Sequence, residues 1–184
     1  MSVVEELRRA TKPLHEDLED RLDIVGRLIT ATERRSVLCG FLAVYSVAEA
    51  ALLPHLRTVP DLDFERRLKL PALRDDLRAL GIEVAERRLD LNARFPALGG
   101  VDEALGFAYV LEGATLGGRV IRKRVAAAGA SLVGLSFFDV YGPATADQWK
   151  RFCVVVEREC ASGVAKTVEG ALAGFGFVRA ALLD

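Results

Sequence analysis

The chain has 184 residues, 51% of them hydrophobic and 28% charged, with 25 basic against 26 acidic side chains. That length suits one domain with a substantial core, and the near-zero net charge argues against a protein that works by neutralising nucleic-acid phosphates. Three cysteines, Cys39, Cys153 and Cys160, without C-x-x-C spacing exclude a disulfide framework and a zinc ribbon, and fit a reduced, cytoplasmic protein.

The first residues, MSVVEELRR, read as no secretory leader. The longest uncharged runs, 36–48 and 125–138, fall short of the ~20 apolar residues of a membrane span, so a soluble protein is expected. Leu7, Thr11, Leu14 and Leu18 recur at helical spacing, and Pro13 predicts a kink or frayed turn in that first helix. Thr32 is the expected cap of a second helix that buries Leu38, Phe41, Tyr45, Ala48 and Leu52 and bends or ends at Pro54. A shorter helix follows, with Pro71 in its first turn and Gly81 closing it.

Residues 89–100 read as irregular. Asp102 is the expected cap of a long helix that runs to about Ala128 and stops at Gly129. Residues 131–142 are apolar without a period. Thr145 with Gln148 predicts a capping box for a last helical stretch, broken near Gly163. No run demands a sheet, so the expected fold is all-α, six to eight helices in one domain spanning 1–184.

Of the two histidines, His55 sits near a helix end, where an exposed imidazole commonly faces the dipole. His15 has more telling neighbours. Arg8, Lys12, His15 and Glu19 form a second stripe about 100° from the leucines. Glu19, one turn on, can hold one ring nitrogen and so make the other a better metal ligand. An ordinary solvated face with an i,i+4 pair accounts for the same residues.

Gly106, Gly113, Gly117 and Gly118 lie inside the long helix, where each glycine costs about 0.5–1 kcal/mol against alanine. Gly106, Gly113 and Gly117 fall on one face, so something must approach that backbone closely. Tight helix packing through Gly113 and Gly117 is one explanation; a flat ligand, with a bend at Gly117–Gly118, is the other. Together the two helices read as the plates of a sandwich around a planar metallocofactor. There is no Glu-x-x-His pair, P-loop, dinucleotide fingerprint or Gly-x-Ser-x-Gly elbow. Cys153, Cys160 and Trp149 read as core residues.

Residues 8–19, R-R-A-T-K-P-L-H-E-D-L-E, resemble the proximal helix of heme oxygenases, and residues 110–121, V-L-E-G-A-T-L-G-G-R-V-I, resemble their distal helix. The similarity is nearest to bacterial members, including those that supply chromophore to bacteriophytochromes. It implies a heme oxygenase-like multi-helix bundle that opens heme to biliverdin, carbon monoxide and iron, using O2 and electrons from an external ferredoxin, flavoprotein or reductase. By the same resemblance His15 is the axial iron ligand, Glu19 is its partner, and Arg8 and Lys12 lie near the propionates. Gly113, Gly117 and Gly118 are the distal glycines.

Many family members carry Asp where this chain has Ala114. The distal water network must therefore rest elsewhere, with Thr115 and carbonyls freed at the glycine bend as candidates. Tyr141 is a candidate to approach a propionate. Arg119, Arg122, Lys123 and Arg124 read either as charges suited to a helix C-terminus or as a docking patch for the acidic electron donor. Rival readings are a heme carrier or sensor of the same fold, and a helical interaction protein whose glycines only pack helices.

Overall fold

Helix α1 (Val3–Leu22) opens with a capping box in which the Ser2 hydroxyl accepts from the Glu5 amide and the Glu5 carboxylate accepts from the Ser2 amide. Glu157, far along the chain, takes two more of its first N–H groups, those of Val3 and Val4, each at 2.9 Å. The computed structural model describes residues 2–83 and 91–183. Leu89 and Asp90, the start of the expected irregular run, lie outside them. The helix continues through Pro13 without a break. Pro13 leaves the Arg9 carbonyl without its usual donor, but both residues are exposed and water can serve it.

Helix α2 (Ile24–Ile29) is one turn and a half, and α3 (Ala31–Leu56) follows. Thr30 rather than Thr32 caps α3, its hydroxyl oxygen accepting from the Glu33 amide at 3.4 Å. The helix ends two residues past Pro54. Leu38, Tyr45, Ala48 and Leu52 are buried as expected, and Phe41 is half-buried against them. Among the described residues this one helix is long and apolar enough, by length and composition, to cross a membrane. The reading of uncharged runs missed it because Glu49 interrupts the sequence. The protein itself covers much of its apolar surface, with Val37, Val44 and Leu56 also in the core.

Helix α4 (Leu70–Ala79) carries Pro71 in its first turn. No side chain of its own caps it. The buried Glu49 carboxylate of α3 does so instead, accepting from the amides of Lys69 at 2.5 Å and Leu70 at 3.3 Å. Burial, the leading influence, holds that carboxyl above the ordinary range despite the donors around it. Removing the acceptor in Glu49→Ala leaves two buried N–H groups unsatisfied; a loss of about 1–3 kcal/mol, read from the urea midpoint, is the expected outcome. Gly81 then turns the chain in the left-handed region, at φ 67°.

Helix α5 (Val101–Ala127) begins after Gly100, not at an Asp102 cap. Asp102 lies inside its first turn with its carboxylate against Gly163 and the Cys160 thiol, while Glu103 accepts from the Gly99 amide at 2.7 Å. It ends where expected, with Gly129 at φ 76°. The apolar stretch beyond it forms two 3₁₀ turns, Ser136–Asp139 and Gly142–Ala144.

Helix α6 (Thr145–Glu159) has no capping box, because the second 3₁₀ turn leads straight into it. The Thr145 hydroxyl donates to the Gly142 carbonyl at 2.8 Å instead. Helix α7 (Val164–Leu182) starts just past Gly163, the expected break.

The described residues form seven α-helices and no strand, with one connected apolar core. Helix α7 is its axis, packed on both α1 and α5. Glycines set the α5–α7 distance: a Cβ on Gly106 would overlap the Thr167 carbonyl, and one on Gly170 the Glu103 carbonyl.

Candidate active site

Helices α1, α5 and α7 run in the same direction. Glu103, Gly106 and Val110 of α5 meet Gly170, Ala171 and Gly174 of α7 in ascending order. On the other side, His15 and Asp17 of α1 meet Phe175 and Arg179 of α7. Tyr109 of α5 lies near Arg8 of α1.

On α1 the imidazole is 55% exposed. Its Nδ1 lies 3.3 Å from a Glu19 carboxylate oxygen, and its ring stands edge-on to Phe175 with centroids 6.2 Å apart. This holds the ring from two sides and leaves Nε2 to an incoming ligand. Arg8 and Lys12 are exposed along the same face, Lys12 within 3.7 Å of Glu16. Arg8 also approaches Cys153, whose thiol burial pushes up to about 11 against the pull of that cation.

On α5 the glycines divide into two kinds. A Cβ on Gly117 would meet nothing within 4 Å, and one on Gly113 would touch only the Trp149 ring, at 3.8 Å. Leu116 and Val120, beside them, are 44% and 57% exposed. One side of the second half of α5, along Leu116, Gly117 and Val120, thus presents an open, apolar wall. Gly106 and Gly118 differ. Gly106 is buried against α7, and a Cβ on Gly118 would overlap the Phe138 carbonyl. The expectation that Gly106 shares the ligand face, and that Gly118 offers bare backbone to a ligand, is corrected: both are helix-packing glycines. Packing through Gly113 and Gly117 is corrected as well.

The α5 helix stays helical through Gly117–Gly118, so no carbonyls are released by a bend there. Ala114 is exposed. The Thr115 hydroxyl donates to the Glu112 carbonyl at 2.7 Å, which commits its proton and leaves its oxygen able to accept. Tyr141, expected near a propionate, instead binds the Glu112 carboxylate and the Lys69 ammonium. Arg119 and Arg122 pair with Asp139 at 3.6 and 3.3 Å, while Lys123 and Arg124 are exposed without an ion pair among the described residues. Sequence reasoning passed over Glu112, Arg67 and Lys69. The signal was a lone carboxylate in the apolar run F-A-Y-V-L-E-G.

No group of three or more metal-ligating side chains is formed among the described residues. A single accessible imidazole, with a bare stretch on another helix, suits a metal that arrives with a ring of its own. Heme fits these residues: the imidazole is accessible, the wall is apolar and unfilled, and cations flank the histidine. A groove of about 540 Å³ lies elsewhere, between Glu6 of α1 and Val164, Val168 and Glu169 of α7.

The fold and these two faces define a helical protein suited to a planar, metal-centred ligand. A curated relative, the heme oxygenase of Xanthomonas campestris pv. campestris (strain 8004), is 33% identical over 138 residues, covering 73% of this chain and 79% of that protein. The solved structure of the NO- and CO-bound heme oxygenase from Neisseria meningitidis shares the fold, with a TM-score of 0.75 at 16% identity over 99% of this chain and 90% of that one. No protein-family model matches. The chain belongs to the heme oxygenase family.

Proposed function

We propose that this protein is a heme oxygenase that binds heme between α1 and the second half of α5 and opens its ring. When bound, heme supplies both the oxygen-activating iron and the porphyrin that is cleaved, with O2 and external electrons, to biliverdin, carbon monoxide and iron. The observation that carries the reading is a pair of open faces on two helices that both pack on α7: the exposed His15–Glu19 pair on α1 and the unfilled backbone at Gly117 on α5.

In this reading His15 would hold the heme iron through Nε2, and Glu19 accepts at Nδ1 to hold the ring orientation. Arg8 and Lys12 attract the propionates. Gly113 and Gly117 admit the ring and confine reaction to one of its edges, an orientation effect. Gly118 acts at one remove, by seating α5 on Phe138. The Ala114 methyl neither donates nor accepts, so a water serving proton delivery donates its hydrogen bonds to the Thr115 oxygen or to main-chain carbonyls.

Electrons come from an outside donor, for which Lys123 and Arg124, with Arg119 and Arg122 beside them, provide the positive surface. The cytoplasm is the compartment that suits three unbridged cysteines.

Mixing the purified chain with hemin and a reductant under oxygen tests this directly. The expected result is loss of the Soret band and appearance of a biliverdin spectrum. Stable binding without turnover would make the protein a heme carrier or sensor. Hemin binding equal to that of His15→Ala would leave only a helical interaction protein.

A further inference from the structure

The helix that carries the bare wall is gripped at one residue by a buried ionic cluster. Glu112, immediately before Gly113, is 2% exposed; Arg67 and Lys69, from the segment between α3 and α4, are 4% and 2% exposed. Arg67 donates to one Glu112 oxygen at 2.8 Å, and Lys69 pairs with the other. The Tyr141 hydroxyl donates to the same carboxylate, at 3.0 and 3.2 Å from its two oxygens, while accepting from Lys69 at 2.9 Å.

The cations are themselves anchored. Arg67 donates to the carbonyls of Leu62 at 2.8 Å and Gln148 at 3.3 Å, and Lys69 donates to the Arg67 carbonyl at 2.7 Å. Glu49 balances the charge from α3, and a cavity of about 10 Å³ between Tyr45, Glu49, Arg67, Lys69 and Glu112 has room for about one water. Two carboxylates and two cations leave the cluster neutral.

Such a cluster is a poor device for stability, since well-packed apolar residues do as well or better. What it does supply is geometry. Three hydrogen-bond donors, Arg67, Lys69 and Tyr141, from two separate parts of the chain meet one α5 residue and fix both the height and the rotation of the helix there. Gly113, Leu116, Gly117 and Val120 follow within two turns. A rotation of α5 at Glu112 therefore changes the gap between the bare wall and His15.

We propose that Glu112, held by Arg67, Lys69 and Tyr141, is a positioning residue that sets the register of the α5 wall and so the porphyrin edge at which heme is opened. The inference rests on the reading of this face as the heme site. Glu112 touches neither ring nor iron; it acts through the backbone of the next residue.

The test compares the parent chain with Glu112→Gln and Tyr141→Phe, each loaded with hemin. Tyr141→Phe deletes one hydroxyl of the cluster and keeps the ring that packs beneath it, so it decides the matter alone if Glu112→Gln does not fold. The readouts are the His15-dependent Soret spectrum, the C–O stretching band of the reduced protein under carbon monoxide, and the biliverdin isomers formed in a single turnover.

The expected result is an unchanged Soret spectrum with a displaced or broadened C–O band, a second biliverdin isomer, and ring opening slowed by about tenfold to a hundredfold, the scale of a displacement near 1 Å. A C–O band and isomer pattern identical to the parent in the folded variants would overturn the proposal while leaving the heme site intact. Absence of a His15-dependent spectrum in the parent chain would overturn both.

Discussion

His15→Ala is expected to abolish ring opening and to lower hemin affinity by on the order of a hundredfold, while the protein stays folded. The ring is more than half exposed, and its pairing with Glu19 is a surface i,i+4 contact of the kind that contributes at most about 1 kcal/mol. Its edge contact with Phe175 adds to that, yet Phe175 keeps its place in the core through its other neighbours. Thermal melting of the heme-free variant within a few degrees of the parent, together with loss of the axial-ligand spectrum, is the expected pair of observations. Unchanged spectra would remove His15 from the site. Melting far below the parent would show that the histidine is structural.

The second large effect separates the glycines. Gly117→Leu places a side chain where a Cβ meets nothing, so the heme-free protein gains about 0.5–1 kcal/mol from better helix propensity. In the proposed reading the same side chain fills the space that heme would take, and hemin binding with turnover should fall to the level of His15→Ala. Gly118→Ala does the reverse. Its single methyl would overlap the Phe138 carbonyl, a backbone atom that no rotamer change can move, so the protein loses about 1–3 kcal/mol or more. Urea midpoints and hemin titrations on the two variants check both halves. Equal destabilisation, or normal hemin binding by Gly117→Leu, would show that the open face points away from the ligand.

Residue 114 is the place where family membership and local chemistry pull apart. Alanine gives the distal face no side-chain acceptor, and the Thr115 proton is already bound to its own helix. In the proposed reading, the ionic cluster at Glu112 anchors the same helix from behind. A wall held in register by Glu112 can limit which ring edge is approached even where its front surface is hydrocarbon and main chain.

Much of the fold is legible in the residues. The 3.6-residue apolar period identifies α1 and α3, the later helices were read from their ends, and Pro71, Gly129 and Gly163 mark ends that the structure keeps, because φ restriction and the missing N–H or Cβ act locally. Caps were less legible. Thr30 and Thr32 are equally good caps by type, and Asp102 lost that role because Gly163 and Cys160 offered its carboxylate a different place.

By itself the sequence determined an all-helical chain, the placement of His15 and Glu19 on one exposed face, and a long helix with an unusual set of glycines. Only the tertiary structure decided which of those glycines touch protein and which face open space, since a residue without a side chain carries no hydropathy to reveal its neighbour. The same holds for Glu112: a carboxylate in an apolar run announces that a partner must exist, but Arg67 and Lys69 stand more than forty positions away. Local periodicity says which face is buried, and only the packed chain says against what.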